Sequence, residues 1–170
     1  MILEVSYQLR QGDLGAPVGY PELARALGVE VGHRARSADV REAVLGLRRG
    51  KGMVLDPSDH DTWSAGSFFT NPVLDEVQAA GLPADAPRWP MDDGVKTSAA
   101  WLIENAGFSR GYTGTHQGVA LSGKHTLALT NRGEASTADL LGLARDVRDG
   151  VRKAFGVELV NEPILVGCTL

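Results

Sequence analysis

The segment Gly66-Ser67-Phe68-Phe69-Thr70-Asn71-Pro72 sets a hydroxyl and a carboxamide between a glycine and a proline. Gly66 can take a positive φ or admit close approach of a ligand, and Pro72 drives Asn71 toward an extended conformation. Ser67 and Asn71 can therefore be aimed at one point as hydrogen-bonding or proton-transferring groups. The same residues equally suit an ordinary turn in which Phe68 or Phe69 enters the core and the polar side chains cap backbone groups. Glu162 is a second candidate, because a carboxyl placed among Leu159, Ile164 and Leu165 would hold its proton more tightly and could donate it. A solvated charge on a strand edge is the plainer reading. Lys51 lies just beyond a predicted helix end, between Gly50 and Gly52. It suits a phosphate, and it also suits the negative end of the helix dipole. His33, His60 and His125 lack the spacing of a metal set, which leaves each an ordinary surface or core role.

These groups need elements to position them. Leu3, Val5, Tyr7 and Leu9 alternate, so Ile2–Arg10 is predicted as a strand ended by Gln11-Gly12-Asp13. A strand starting at the first residues is expected of a chain cut from something longer. Val40, Ala43, Val44 and Leu47 predict a helix over 38–49, with Ser37 as N-cap and Gly50 closing it. Residues 51–71 show no sustained period and read as a long, functional loop. Residues 79–91, with Gly81, Pro83, Pro87 and Pro90, read as an irregular connection. Thr97–Ala106 is predicted helical, Gly111–Gly118 turn-rich, and Val119–Leu121 and Thr126–Thr130 strands. Ser136-Thr137-Ala138-Asp139 has the form of a capping box. It opens a helix whose apolar stripe is Leu140, Leu143, Ala144, Val147 and Val151, with Gly156 as its stop. Val157–Gly167 reads as a last strand, with Pro163 placing it at an edge or starting it after that residue. The order predicts an α+β domain, helices packed on one face of a mainly antiparallel sheet.

The composition narrows the function classes. The 170 residues are 43% apolar and 22% charged, with net charge −4 and a single cysteine, Cys168. That is an ordinary globular mixture with room for one domain or slightly more. An internal disulfide and a cysteine zinc cluster are excluded. No basic stripe suggests nucleic acid, and no apolar run reaches bilayer length. A soluble, cytoplasmic protein is expected. There is no phosphate-binding Gly-Lys loop, dinucleotide fingerprint or Gly-x-Ser-x-Gly elbow.

Taken as an ordered set, the motifs say more. Gly66–Pro72, then Ser98-Ala99-Ala100-Trp101-Leu102-Ile103-Glu104 with Ala106-Gly107, then Lys124-His125, Asn131-Arg132-Gly133, and Phe155-Gly156-Val157-Glu158-Leu159 with Glu162 and Gly167 are collinear across nearly the whole chain. Together they resemble the C-terminal, substrate-binding part of the UDP-N-acetylenolpyruvoylglucosamine reductase (MurB) family. The resemblance implies a flavoenzyme of peptidoglycan synthesis in which NADPH reduces FAD and the reduced flavin passes a hydride to the enolpyruvyl ether of UDP-N-acetylglucosamine. It implies that Ser67 is the proton donor to the resulting enolate and that Glu162 assists at the carboxyl end. Tyr20, in Gly19-Tyr20-Pro21, and Lys51 match contacts to the substrate diphosphate, Asn71 joins them, and His125 falls near a further contact. Thr70 stands where the family often has lysine, and Pro163 where it has a small apolar residue.

The same resemblance implies that the FAD-binding domain, with an arginine that works beside Ser67 and Glu162, would lie upstream of Met1. Residues 1–18 and 161–170 would be strands belonging to that domain, and 19–160 the substrate-binding domain. Alone, this chain is expected to bind no FAD and to be inactive, and its two orphaned strands are expected to pair with each other or with another chain. The alternative is a non-catalytic module that recognises a UDP-sugar or a partner protein.

Overall fold

A computed structural model describes residues 2–115 and 118–170. The chain divides into two compact units, Met1–Gly50 and Lys51–Leu170. The first holds helices α1 (Pro21–Leu27) and α2 (Ser37–Gly50). Proline in the first turn of α1 supplies a preset φ where no N–H is needed, and Gly28 closes the helix in the left-handed region at φ 67°. Ser37 is the first residue of α2 and not the residue preceding it. Its N–H donates to Asp13 O at 2.7 Å, while the Arg34 guanidinium holds Gly15 O at 2.8 Å and Leu14 O at 3.2 Å. Among the described residues of this unit only Val18 and Ala24 are buried, and the apolar stripe of α2 is half-buried.

The expected strand at Ile2–Arg10 does not form. Its alternating side chains stand exposed, Leu3 and Leu9 at 84% each. A strand needs a neighbour for its N–H and C=O groups, and the described residues of this chain supply none to that segment.

The second unit carries two three-stranded antiparallel sheets. One has the order β1-β6-β5, from Ser64–Ser67, Ala128–Asn131 and Val119–Leu121. The other has the order β2-β4-β3, from Val73–Leu74, Gly94–Thr97 and Arg88–Met91. Helix α3 (Glu76–Gly81) lies on β2 and β4, and α5 (Thr137–Phe155) packs on β5, β6 and α4 (Ala99–Asn105). This is the expected α+β arrangement, drawn as two small open sheets.

Helix α5 is the mainstay. Ser136 Oγ accepts from Asp139 N while the Asp139 carboxylate takes the Ser136 N–H at 2.9 Å, so the capping box is complete. Leu143, Ala144, Val147 and Val151 are fully buried, and Gly156 ends the helix at φ 69°. Burying the Leu143, Val147 and Val151 side chains is worth roughly 1.5–3 kcal/mol each before entropy is counted. Their neighbours are Phe69, Leu102, Ile103 and Leu121, which join the same core.

Three readings of the sequence need correction. Within the supposed loop 51–71 lie a short 3-10 turn, His60–Thr62, and strand β1. The irregular stretch 79–91 contains the end of α3 and all of β3, because Pro90 can sit on an edge strand that turns its missing donor away from β4. The last strand reduces to one isolated bridge, Phe69 with Asn161. Of the turn-rich 111–118 segment, His116 and Gln117 fall outside the described residues.

Candidate active site

Strand β1 is made of small residues, Ser-Ala-Gly-Ser, and its ladder is uneven. Ser64 pairs with Thr130 but Ser67 with Ala128, so β1 carries one residue more than β6 between the two pairs. Gly66 takes up the excess at φ 91°. Beyond this bulge Phe68 N–H donates to Leu127 O at 2.7 Å, Phe68 and Phe69 enter the core, and Ser67 stays half-buried. The rings enter the core and Asn71 caps a backbone N–H, as the plainer reading of the segment expects, while Ser67 stands beside His125.

His125 meets Ser67 there, its Nε2 3.4 Å from Ser67 Oγ. Burial, reinforced by the cations Lys51 and Arg110, pushes the imidazole below its usual value and favours the neutral ring. The turn carrying His125 is tightly fixed. Ser122 Oγ accepts the N–H groups of Lys124 (3.1 Å) and His125 (3.3 Å), and His125 O accepts from Ala128 N at 3.0 Å.

A second clamp comes from the loop before β1. Asp61 Oδ1 accepts from Gly123 N at 2.9 Å and from Arg132 Nη2 at 3.1 Å, and Lys124 Nζ pairs with Asp59. That ammonium draws the Asp59 carboxyl below its usual value, and the carboxylate raises Lys124 in return. Gly52, beside Lys51, lies so close to Asp61 that a Cβ on it would fall 2.7 Å from Asp61 O. Asp61 therefore ties the Lys51–Gly52 segment and the Gly123–His125 turn to one point. Sequence reasoning missed it, since a carboxylate in an Asp-rich loop reads as a turn former and its partners lie about 60–70 residues on.

Asn71 Oδ1 accepts the Ala99 N–H at 2.9 Å, near the start of α4. Glu162 is exposed, and Ile164 beside it is 92% exposed, so the apolar enclosure expected around this carboxyl is not formed by the described residues. The Glu162 backbone N–H nevertheless donates to Phe68 O at 2.8 Å, which fastens Glu162 to the residue following Ser67. Lys51 is exposed at the start of the second unit, and Tyr20 belongs to the first, exposed and preceding α1. Ser67, His125, the Lys51 charge and the Glu162 backbone are thus brought together, while Asn71 serves α4.

An open groove of about 850 Å³ runs beside β1, lined by Leu55, Trp63, Phe68, Leu140, Pro163 and Leu165 among others. Its lining has no Lys or Arg, and the α5 N-terminus beside it is already occupied by Asp139 folded back on Ser136. A flavin dinucleotide, whose diphosphate needs cations or open N–H groups, does not fit it. Among the described residues no three His, Cys, Asp or Glu side chains converge as a metal set, and no helix is long and apolar enough to cross a membrane.

Residues 56–166 match the family model described as UDP-N-acetylenolpyruvoylglucosamine reductase, C-terminal domain. A UDP-N-acetylenolpyruvoylglucosamine reductase of Mycobacterium sp. (strain MCS) is 58% identical over 174 residues, and that of Saccharopolyspora erythraea 58% over 184. That of Streptomyces avermitilis is 60% identical over 183. Each comparison covers 100% of this chain and 50% of the relative, so the chain spans about half the length of the curated relatives it matches.

Proposed function

Because the chain belongs to the UDP-N-acetylenolpyruvoylglucosamine reductase family, matching that family's C-terminal domain, we propose that it binds the substrate and supplies the proton in reduction of UDP-N-acetylenolpyruvoylglucosamine to UDP-N-acetylmuramate. The reaction belongs to the cytoplasmic supply of peptidoglycan precursors. The observation that carries this reading is the meeting of Ser67 with His125, behind a strand bulge that turns the serine out of the core. In the complete enzyme FAD and NADPH supply the hydride. The groove beside β1 does not fit a flavin dinucleotide, its lining having no Lys or Arg. On this reading residues 1–18 and 161–170 belong with the flavin domain and 19–160 form the substrate domain. The exposed row at Leu3, Tyr7 and Leu9 supports a pairing partner for the first segment, in that domain or in a second copy.

Hydride addition to an alkene conjugated with a carboxylate leaves an enolate, which must be protonated at carbon. Ser67 is a weak acid in water, so its contribution is placement against a strongly basic carbon. Lys51, Tyr20 and Asn71 are each assigned to the diphosphate by position in the family's pattern, His125 to a further substrate contact, and Glu162 to the enolate at its carboxyl end.

The test is calorimetric binding of the enolpyruvyl substrate to this chain, followed by NADPH oxidation once the flavin domain is added in trans. Lys51→Ala is expected to weaken binding roughly 10-fold, as loss of one charged hydrogen bond does. Ser67→Ala is expected to abolish turnover with binding retained. Restored turnover unaffected by Ser67→Ala removes the assigned proton donor. Binding without any restored turnover points instead to a recognition module.

A further inference from the structure

A serine hydroxyl that must deliver its single proton to carbon has to be oriented, because the O–H bond rotates freely and can point at any nearby acceptor. What surrounds Ser67 Oγ therefore decides how well it works. Among the described residues, the side chain that meets it is His125, whose Nε2 lies 3.4 Å away. The other ring nitrogen fixes which of the two atoms carries the proton. His125 Nδ1 receives the backbone N–H of Leu127 at 3.4 Å, so it is an acceptor, and in the neutral ring the proton then sits on Nε2. Nε2–H faces Ser67 Oγ as a donor. His125 is thus arranged neither as a base that would take the serine proton nor as an acceptor that would divert it.

We propose that His125 is a positioning residue for Ser67, donating Nε2–H to a lone pair of Oγ so that the serine's own O–H is turned outward to the substrate carbon. This rests on the reading of Ser67 as proton donor. In the protonation step the Ser67 O–H bond breaks, its electron pair stays on Oγ, and the proton forms the new C–H bond. Through that step His125 keeps its proton and stabilises the charge growing on Oγ, which is afterwards discharged by a proton from water. The separation of 3.4 Å is long for such a bond, as donor pairs often are before a substrate draws them in.

The surrounding fold gives His125 little freedom to do otherwise. Leu127 supplies the N–H that fixes the tautomer, and its carbonyl accepts from Phe68 N at 2.7 Å. One residue of the β5–β6 turn therefore sets both the histidine ring and the backbone next to Ser67. Asp61 closes the same turn from outside through Gly123, where a Cβ would come within 2.8 Å of its carboxylate. Burial holds the ring below its usual value and favours the neutral form, in which one nitrogen carries the proton.

The contact is tested in this chain by nitrogen-15 NMR of labelled histidine. The Nε2–H tautomer is expected for His125, with its ring resonances displaced in Ser67→Ala. An Nδ1–H tautomer, or no response to Ser67→Ala, overturns the proposal. The role is tested in the complete enzyme. His125→Phe is expected to lower kcat on the order of 100-fold or more, as loss of one donor to a developing charge does, a larger change than any rise in KM. His125→Gln, which keeps an N–H donor, is expected to recover most of that loss. Gln no better than Phe, or a loss confined to KM, overturns the positioning role while leaving Ser67 as donor. Turnover unchanged in Ser67→Ala overturns the underlying reading and the proposal with it.

Discussion

Gly52→Ala tests whether the candidate site is held by a close backbone approach. Gly52 sits at φ 68°, where a residue with a Cβ pays about 1–2 kcal/mol. An added Cβ would also stand 2.7 Å from Asp61 O, a main-chain atom that cannot rotate away as a side chain would. Forcing such a contact apart costs about 1–3 kcal/mol more. The expected destabilisation is therefore about 2–5 kcal/mol. Gly111→Ala is the control, because Gly111 has φ 78° and nothing lies within 4 Å of where its Cβ would stand. It should cost only the backbone part, about 1–2 kcal/mol. Trp63, Trp89 and Trp101 are the three tryptophans and all lie in the second unit, so their fluorescence in urea follows that unit directly. With a slope of about 1–3 kcal/mol per molar, the two variants should differ in midpoint by roughly 1 M. Equal midpoints would refute the idea that Asp61 is packed against Gly52.

Ser136→Ala should cost about 0.5–2 kcal/mol in the same urea assay, since it opens the capping box of α5. Asn71→Ala should cost about 1–2 kcal/mol by stranding the Ala99 N–H, and Asn71→Asp, which keeps an acceptor, should lose less; equal losses would point to a role other than capping. His125 should titrate below 6.5 by NMR. Because the folded value is depressed, the unfolded chain binds more protons between that value and 6.5. The contribution is complete above 6.5 and is lost as pH falls toward the folded value, and His125→Gln should flatten this part of a stability-against-pH curve.

The long helices were legible because their signals are local. The stripe from Leu143 to Val151, the capping box at Ser136 and the stop at Gly156 all lie on one helix, about six turns at most from one another, and each took its expected place. Strand β1 was not legible. Ser-Ala-Gly-Ser has no apolar alternation, and what makes it a strand is β6, more than 60 residues away. The terminal strands were the opposite case: Leu3, Val5, Tyr7 and Leu9 have the pattern, and pattern without a partner forms no ladder. Ser67 and His125, both candidates in the sequence, lie 3.4 Å apart, and the Gly66 conformation was foreseeable. Asp61, Gly52 and Leu127 escaped notice because their contributions come from a carboxylate, a missing side chain and a main-chain N–H, none of which residue type announces.

The extra residue between Ser64 and Ser67 has a bearing on insertions and deletions. Three steps along β1 are matched by two along β6, so removing one of Ala65 or Gly66 would let the strands pair evenly. Such a deletion would leave Ser67 opposite Ala128 but remove the bulge, and with it the local bend that Gly66 puts into the strand just before the serine. No substitution at Ser67 or His125 could repair that, because what is lost is chain length. Homologous chains that keep this serine in service are expected to hold the count between the two anchor pairs fixed even where the residues themselves drift.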